Sequence, residues 1–268
     1  MKRIVILALA QDSGECISAQ KLPIWLQKDK QIEYRGLFID NLVQKTLTYA
    51  GVSDVETPSG TNGKANITKL ETILQLEDSF KNSNISFKIV EDGQETSMLK
   101  NISLFAQLLI ISAPLFERLY ESYRGDFEYL SSLFNCPVYV LPQGKTSKVE
   151  NLLILSDGDE SSLRSVKNFI DNFSTSLINK PVSTLTIIPS DEEEILREKL
   201  LVGFIKMNFR DVGLQVTLKE LIHKDMQRLL DYLENPILIT GKSGLESIIN
   251  SGQFSFFKQK NIPIFFLN

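Results

Sequence analysis

The chain has 268 residues, of which 43% are hydrophobic and 23% charged, and a formal net charge of −4. That composition is ordinary for a globular protein and gives enough length for two cores. The acidic balance offers no concentrated basic face, so nucleic acid is not an expected partner. The longest apolar runs, such as IVILALA and LLIIS, fall short of the roughly 20 residues needed to cross a bilayer. No charged, apolar, small-residue leader opens the sequence, so the expectation is a cytoplasmic protein without a membrane partner.

In chain order, KRIVILALA at 2 to 10 reads as a first strand. RGLFID at 35 to 40, a long helical region at about 67 to 82, and NISFKIV at 84 to 90 follow it. The Gly, Pro, Ser and Asn content of TPSGTNGKAN at 57 to 66 suits a surface loop. Its GTNGK lacks the Gly-Lys-Ser/Thr pattern and the preceding strand of a phosphate loop. VENLLILS at 149 to 156 starts a second series, followed by VSTLTII at 182 to 188, a helix over about 191 to 208, and LQVTL at 214 to 218. Buried apolar strands alternating with helices of a dozen residues signify right-handed βαβ crossovers and parallel sheets.

One segment is written twice. Residues 107 to 142, QLLIISAPLFERLYESYRGDFEYLSSLFNCPVYVLP, are echoed at 235 to 268 by NPILITGKSGLESIINSGQFSFFKQKNIPIFFLN. Each copy reads as strand, helix, then a short strand opened by Pro137 or Pro263, and a repeat at this spacing implies two similar domains. The expected domains are 1–145 and 149–268, divided at the polar run QGKTSK, 143 to 148. The expected fold class is α/β, with two doubly wound parallel-sheet domains.

The remaining candidates for chemistry are few. Cys16 and Cys136 show no metal-type spacing, and both read as reduced core residues. A single histidine, His223, argues against a His-based metal site or a Ser-His-Asp triad and reads as a partly exposed surface residue near a helix start. SDEEE at 190 to 194 reads as a helix start with Ser190 as N-cap. Metal binding there is disfavoured, since adjacent carboxylates on a helix diverge. Phe116, Tyr120, Tyr123, Phe127 and Phe134 recur at near-helical spacing, and Phe254, Phe256, Phe257, Phe265 and Phe266 form a comparable group. Each group suits a packed core or a partner surface.

The second half resembles the universal stress protein family over nearly all of its length. LLILSDGDESSLRSVKNF at 152 to 169, TGKSGLESIINSG at 240 to 252 and the terminal IPIFFL carry the resemblance. The first half resembles it less, chiefly through LLIIS and NCPVYVLP. The resemblance implies a tandem of Rossmann-like domains of the adenine-nucleotide alpha-hydrolase type. It further implies an ATP or other adenine-nucleotide site at the carboxyl ends of the second set of strands, where helix N-termini meet phosphate. The residues it puts there are Asp157, Ile187, Gly241, Lys242, Ser243, Gly244, Ser251 and Gly252, with Gly241 as the family's second glycine and Ser251-Gly252 in the place of its Gly-Ser. The loop between them is shortened and that last pair inverted. Equally consistent with the residues alone, Gly241 ends a strand and Ser243 caps a helix.

In the first half, Ser112-Ala113-Pro114 lacks the glycine, and Asp126 would set a carboxylate beside phosphate. Asp12 and Ser13 read as a solvated turn. The family likeness also implies that the fifth strands pair, giving an intramolecular pseudo-dimer and leaving another surface for any homodimer contact. The expected function is a non-enzymatic tandem stress protein with an adenine nucleotide in the second domain. The alternative is a pure protein-interaction scaffold with no ligand. No general base for ATP hydrolysis is evident.

Overall fold

The computed structural model describes residues 3–10, 31–38, 85–90, 96–142, 149–173 and 175–268. The expectations at Asp12, Ser13, Cys16, 57–66, 67–82 and the linker 143–148 lie outside them. The chain divides into two compact units, one holding the described residues up to Asn135 and the other Cys136–Asn268.

The first unit carries strands β1 (Arg3–Ala10), β2 (Gln31–Phe38), β3 (Ile85–Val90) and β4 (Leu108–Ser112). Their order is β3-β2-β1-β4, with every pairing parallel. Helices α1 (Thr96–Ser103), α2 (Ala113–Ser122) and α3 (Phe127–Ser132) complete its described elements. The central strands are apolar on both faces, and Ile6, Leu7, Leu109 and Ile110 are buried, as a parallel sheet requires.

The residues that set the first copy apart from the second have local work to do. Ser112 caps α2 by accepting from the Leu115 N–H at 3.3 Å. Pro114 sits in the first turn, where a missing N–H costs nothing. Asp126 caps α3, accepting from the Tyr129 N–H at 2.9 Å.

The second unit contains β5 (Val138–Leu141), β6 (Asn151–Ser156), β7 (Val182–Ile187), β8 (Val212–Thr217), β9 (Pro236–Gly241) and β10 (Ile264–Leu267). Its helices are α4 (Glu160–Asn172), α5 (Thr175–Ile178), α6 (Glu192–Asn208), α7 (Ile222–Tyr232), α8 (Lys242–Asn250) and α9 (Phe254–Gln259). The strand order is β8-β7-β6-β9-β10-β5. The five strands from β6 to β10 run parallel. β5 lies antiparallel on β10, with Val140 opposite Ile264 and Val138 opposite Phe266. The packing division therefore falls before β5, whereas the sequence placed the boundary after it. The hydrogen-bonded partner of β5 lies at the far end of the chain, where the pattern of a single segment gives no sign of it.

An α/β fold of Rossmann-like topology is thus present, and both repeated segments form strand, helix, strand. The aromatic groups are mainly core. Phe116, Phe127, Phe134, Phe254, Phe257, Phe265 and Phe266 are buried. Tyr120, Tyr123 and Phe256 are half-buried. Phe265 on β10 meets Phe169 and Phe173 of the α4 segment edge-on at ring separations of 5.3 and 5.7 Å. Those two rings stack at 4.5 Å. Backbone and side chain join the same elements, since the Leu267 N–H donates to Ser165 Oγ at 2.9 Å.

Cys136 is a buried free thiol, pushed up to about 12 by that burial. The Asp191 carboxylate accepts from the Glu194 N–H at 2.8 Å and is the N-cap of α6. Ser190, expected there, stands one residue outside and donates through both its N–H and hydroxyl to the Glu194 carboxylate. Asp and Ser are nearly equal as caps, so composition alone did not separate them.

Tyr139 on β5 is fully buried, and its hydroxyl has no hydrogen-bond partner among the described residues. Its ring lies 6.1 Å from Phe173. An unsatisfied buried hydroxyl costs stability that its removal returns. Tyr139→Phe is therefore expected to raise the urea midpoint, corresponding to a gain of about 1 kcal/mol.

Candidate functional site

Open α/β sheets bind ligands at the carboxyl ends of their strands, where the strand order reverses. In the second unit that point lies between β6 and β9, the adjacent strands from which the chain departs to opposite sides of the sheet. Two turns meet there, Asp157-Gly158-Asp159 leading into α4 and Gly241-Lys242-Ser243-Gly244 leading into α8. Gly158 has φ +77°, a backbone state that a side chain disfavours.

The turn after β9 is pressed against the start of α4. A Cβ on Gly241 would lie 2.2 Å from Ser161 Oγ and 2.6 Å from the Ser162 nitrogen. A Cβ on Gly244 would lie 2.2 Å from Thr240 Oγ1. Gly241 meets backbone atoms of α4 and is demanded by packing within the protein, whereas at Gly244 the neighbour that would have to move is only the Thr240 hydroxyl.

Hydroxyls and carboxylates knit the two turns together. The Lys242 N–H donates to Ser161 Oγ at 3.0 Å, and Ser161 Oγ donates to Asp159 Oδ2 at 2.8 Å. Asp157 accepts from the Ser243 hydroxyl on one oxygen. On the other it accepts from Ser162 Oγ at 3.0 Å and the Asp159 N–H at 3.2 Å. Behind them, Glu198 of α6 accepts from Ser156 Oγ at 2.8 Å and Thr186 Oγ1 at 2.7 Å, tying α6 to the ends of β6 and β7.

A cavity of about 680 Å³ opens over these turns. Asp157, Ile187, Ser243 and Gly244, four of the residues singled out from sequence, line it. Gly241 is buried behind it, and Lys242 is half-buried and outside the lining. Ser251 and Gly252 lie apart from them. Ser251 is the C-cap of α8 and Gly252 follows it, so the length of the helix, about 13 Å, separates them from its N-terminus. Both are exposed, and Ser251 Oγ lies 3.5 Å from Nδ1 of half-buried His223.

Several lining residues were not singled out. Glu246, Ser247 and Asn250 follow Ser243 at helical spacing on α8. That periodicity was available once the helix was known to start at Lys242. Glu194, Arg197 and Lys219 also line the cavity, but they come from elements distant in sequence and carried no local signal. Hydrogen bonds from the Ser190 N–H, and then from its hydroxyl, hold the Glu194 carboxyl below the usual carboxylate range. Among the described residues no group of three His, Cys, Asp or Glu side chains is placed to hold a metal ion. No helix among them is long and apolar enough to cross a membrane.

No protein-family model and no curated protein matches the chain. Solved structures do. A universal stress protein from Archaeoglobus fulgidus DSM 4304 is similar over 98% of this chain and 96% of its own, with a TM-score of 0.58 at 12% identity. The cytoplasmic domain of a prokaryotic cation chloride cotransporter is similar over 98% of this chain and 95% of its own, with a TM-score of 0.50 at 14% identity. At such identities the likeness is one of fold alone, an α/β fold shared with both of these structures.

Two consequences can be measured. Gly241→Ala forces atoms apart at the α4 contact and is expected to cost about 1–3 kcal/mol in urea unfolding, as overpacking does. Glu194 titrates lower when folded, so its contribution is complete at neutral pH and is lost as pH falls through its folded value. The difference in melting temperature between the natural chain and Glu194→Gln should therefore shrink as the pH is lowered from about 6 to about 3.

Proposed function

We propose that the second unit is a non-enzymatic receptor for a ligand of the adenine-nucleotide class, held in the cavity at the carboxyl ends of β6, β7 and β9. The observation that carries the reading is that cavity's position at the strand-order reversal, with Asp157, Ile187, Ser243 and Gly244 gathered on its wall. Its volume suits a nucleoside-sized molecule. Ile187, Ile188 and Ile222 offer an apolar wall for a base, and Asp157 and Asp159 offer acceptors for ribose hydroxyls. The fold likeness to a universal stress protein supports a role in which ligand occupancy is read by partners.

A second reading, an interaction scaffold, is favoured by apolar side chains on the outside of α6 and β8. Leu196 and Leu200 are 57% and 56% exposed, Met207 is 78% and Val216 is 61%.

Titration calorimetry of dialysed protein with ATP, ADP, AMP and adenosine separates the two. The receptor reading expects saturable heat with at least one of them, and Ser247→Trp, which fills the cavity from α8, should abolish it while the melting temperature stays within a few degrees. Absence of heat with all four ligands at millimolar concentration would remove the receptor and leave the scaffold.

A further inference from the structure

We infer that the cavity selects the phosphate-free end of the adenine class, a nucleoside, and discriminates against polyphosphates. The inference rests on reading the cavity as an adenine-ligand site, and concerns which member of the class it takes.

Anion binding at a strand-to-helix turn uses two resources, the backbone N–H groups that open the helix and the hydroxyls beside them. At the start of α8 the chain itself engages one backbone N–H and the hydroxyl next to it, while no side chain among the described residues caps the rest of the first turn. The Lys242 N–H is given to Ser161 Oγ at 3.0 Å, and the Ser243 hydroxyl is given to Asp157. The Asp157 carboxylate also takes Ser162 Oγ and the Asp159 N–H from the start of α4. An internal carboxylate thus stands between the N-terminal turns of two helices, where each helix dipole favours negative charge. The place a phosphate would seek is already taken by an anion. Moving that carboxylate aside would strip the Ser162 and Ser243 hydroxyls of their acceptor.

The rest of the wall works in the same sense. Asp157, Asp159, Glu194 and Glu246 line the cavity against Arg197 and Lys219, so carboxylates outnumber cations by four to two. Arg197 shares its charge with Glu193, to which its Nη1 donates at 2.9 Å. A polyphosphate brings more negative charge to a wall already acidic, which is repulsive at contact distances. A nucleoside brings hydroxyl and amino hydrogens, which carboxylates accept.

Calorimetry of the full chain with adenosine and with ATP at equal ionic strength tests this directly. Adenosine is expected to bind with a dissociation constant at least ten-fold below that of ATP. Raising the salt from about 0.05 to about 0.5 M should narrow that ratio by screening the wall. Asp157→Asn keeps the side chain's size and removes its charge, and in a variant whose melting temperature shows it folded, the ratio should shift about ten-fold toward ATP. ATP binding as tightly as adenosine to the natural chain would overturn the inference and leave the adenine reading standing. Heat from neither of these two, with ADP or AMP still binding, would overturn the inference alone, and heat from none of the four would overturn both.

Discussion

The end of β9 passes so close to the first turn of α4 that one methyl group at Gly241 would collide with Ser161 and Ser162. That approach sets the geometry around it. It brings the Lys242 N–H onto Ser161 Oγ and the Ser243 hydroxyl onto Asp157. It also makes the starts of α4 and α8 neighbours over the adjacent strands β6 and β9. The cavity lies over this junction, with α6 fastened beside it by Glu198. A residue that reads as a ligand-binding glycine is first a packing requirement, and the site's shape follows from the packing.

Short polar side chains at a helix start can serve either the backbone or a ligand, and here much of their capacity is spent internally. Ser161, Ser162 and Ser243 all donate to carboxylates of the β6–α4 turn. The consequence is an acidic rim whose hydroxyls already have acceptors. Resemblance in sequence spacing therefore carries the location of the site further than it carries the chemistry of the occupant.

The strands were legible because buried parallel strands are short apolar runs bounded by polar turns, and β1, β4, β6, β7, β9 and β10 all fall within the runs that announced them. β8 was read two residues late, since Val212 and Gly213 begin it without an apolar run. Asp157, Ile187, Ser243 and Gly244, named on the family resemblance, stand together on the cavity wall. Ser251 and Gly252, named with them, stand at the other end of α8, because that helix starts immediately at Lys242 with no intervening loop. Glu194, Arg197 and Lys219 reach the cavity only through tertiary packing, which no window of sequence displays.

The antiparallel pairing of β5 with β10 also bears on how the chain comes to be folded. Val138–Leu141 is made about 120 residues before the strand that hydrogen-bonds to it, so this edge of β5 closes through a contact of long sequence separation, the slow kind. At a synthesis rate of about 5–20 residues per second, that edge waits for about 6–24 s after it is made. Throughout that interval the sequence VYVL is an apolar, uncharged strand with one side unpaired, the sort of segment on which nascent chains associate. The strand that completes the second unit's sheet is thus, during synthesis, a segment that needs protection.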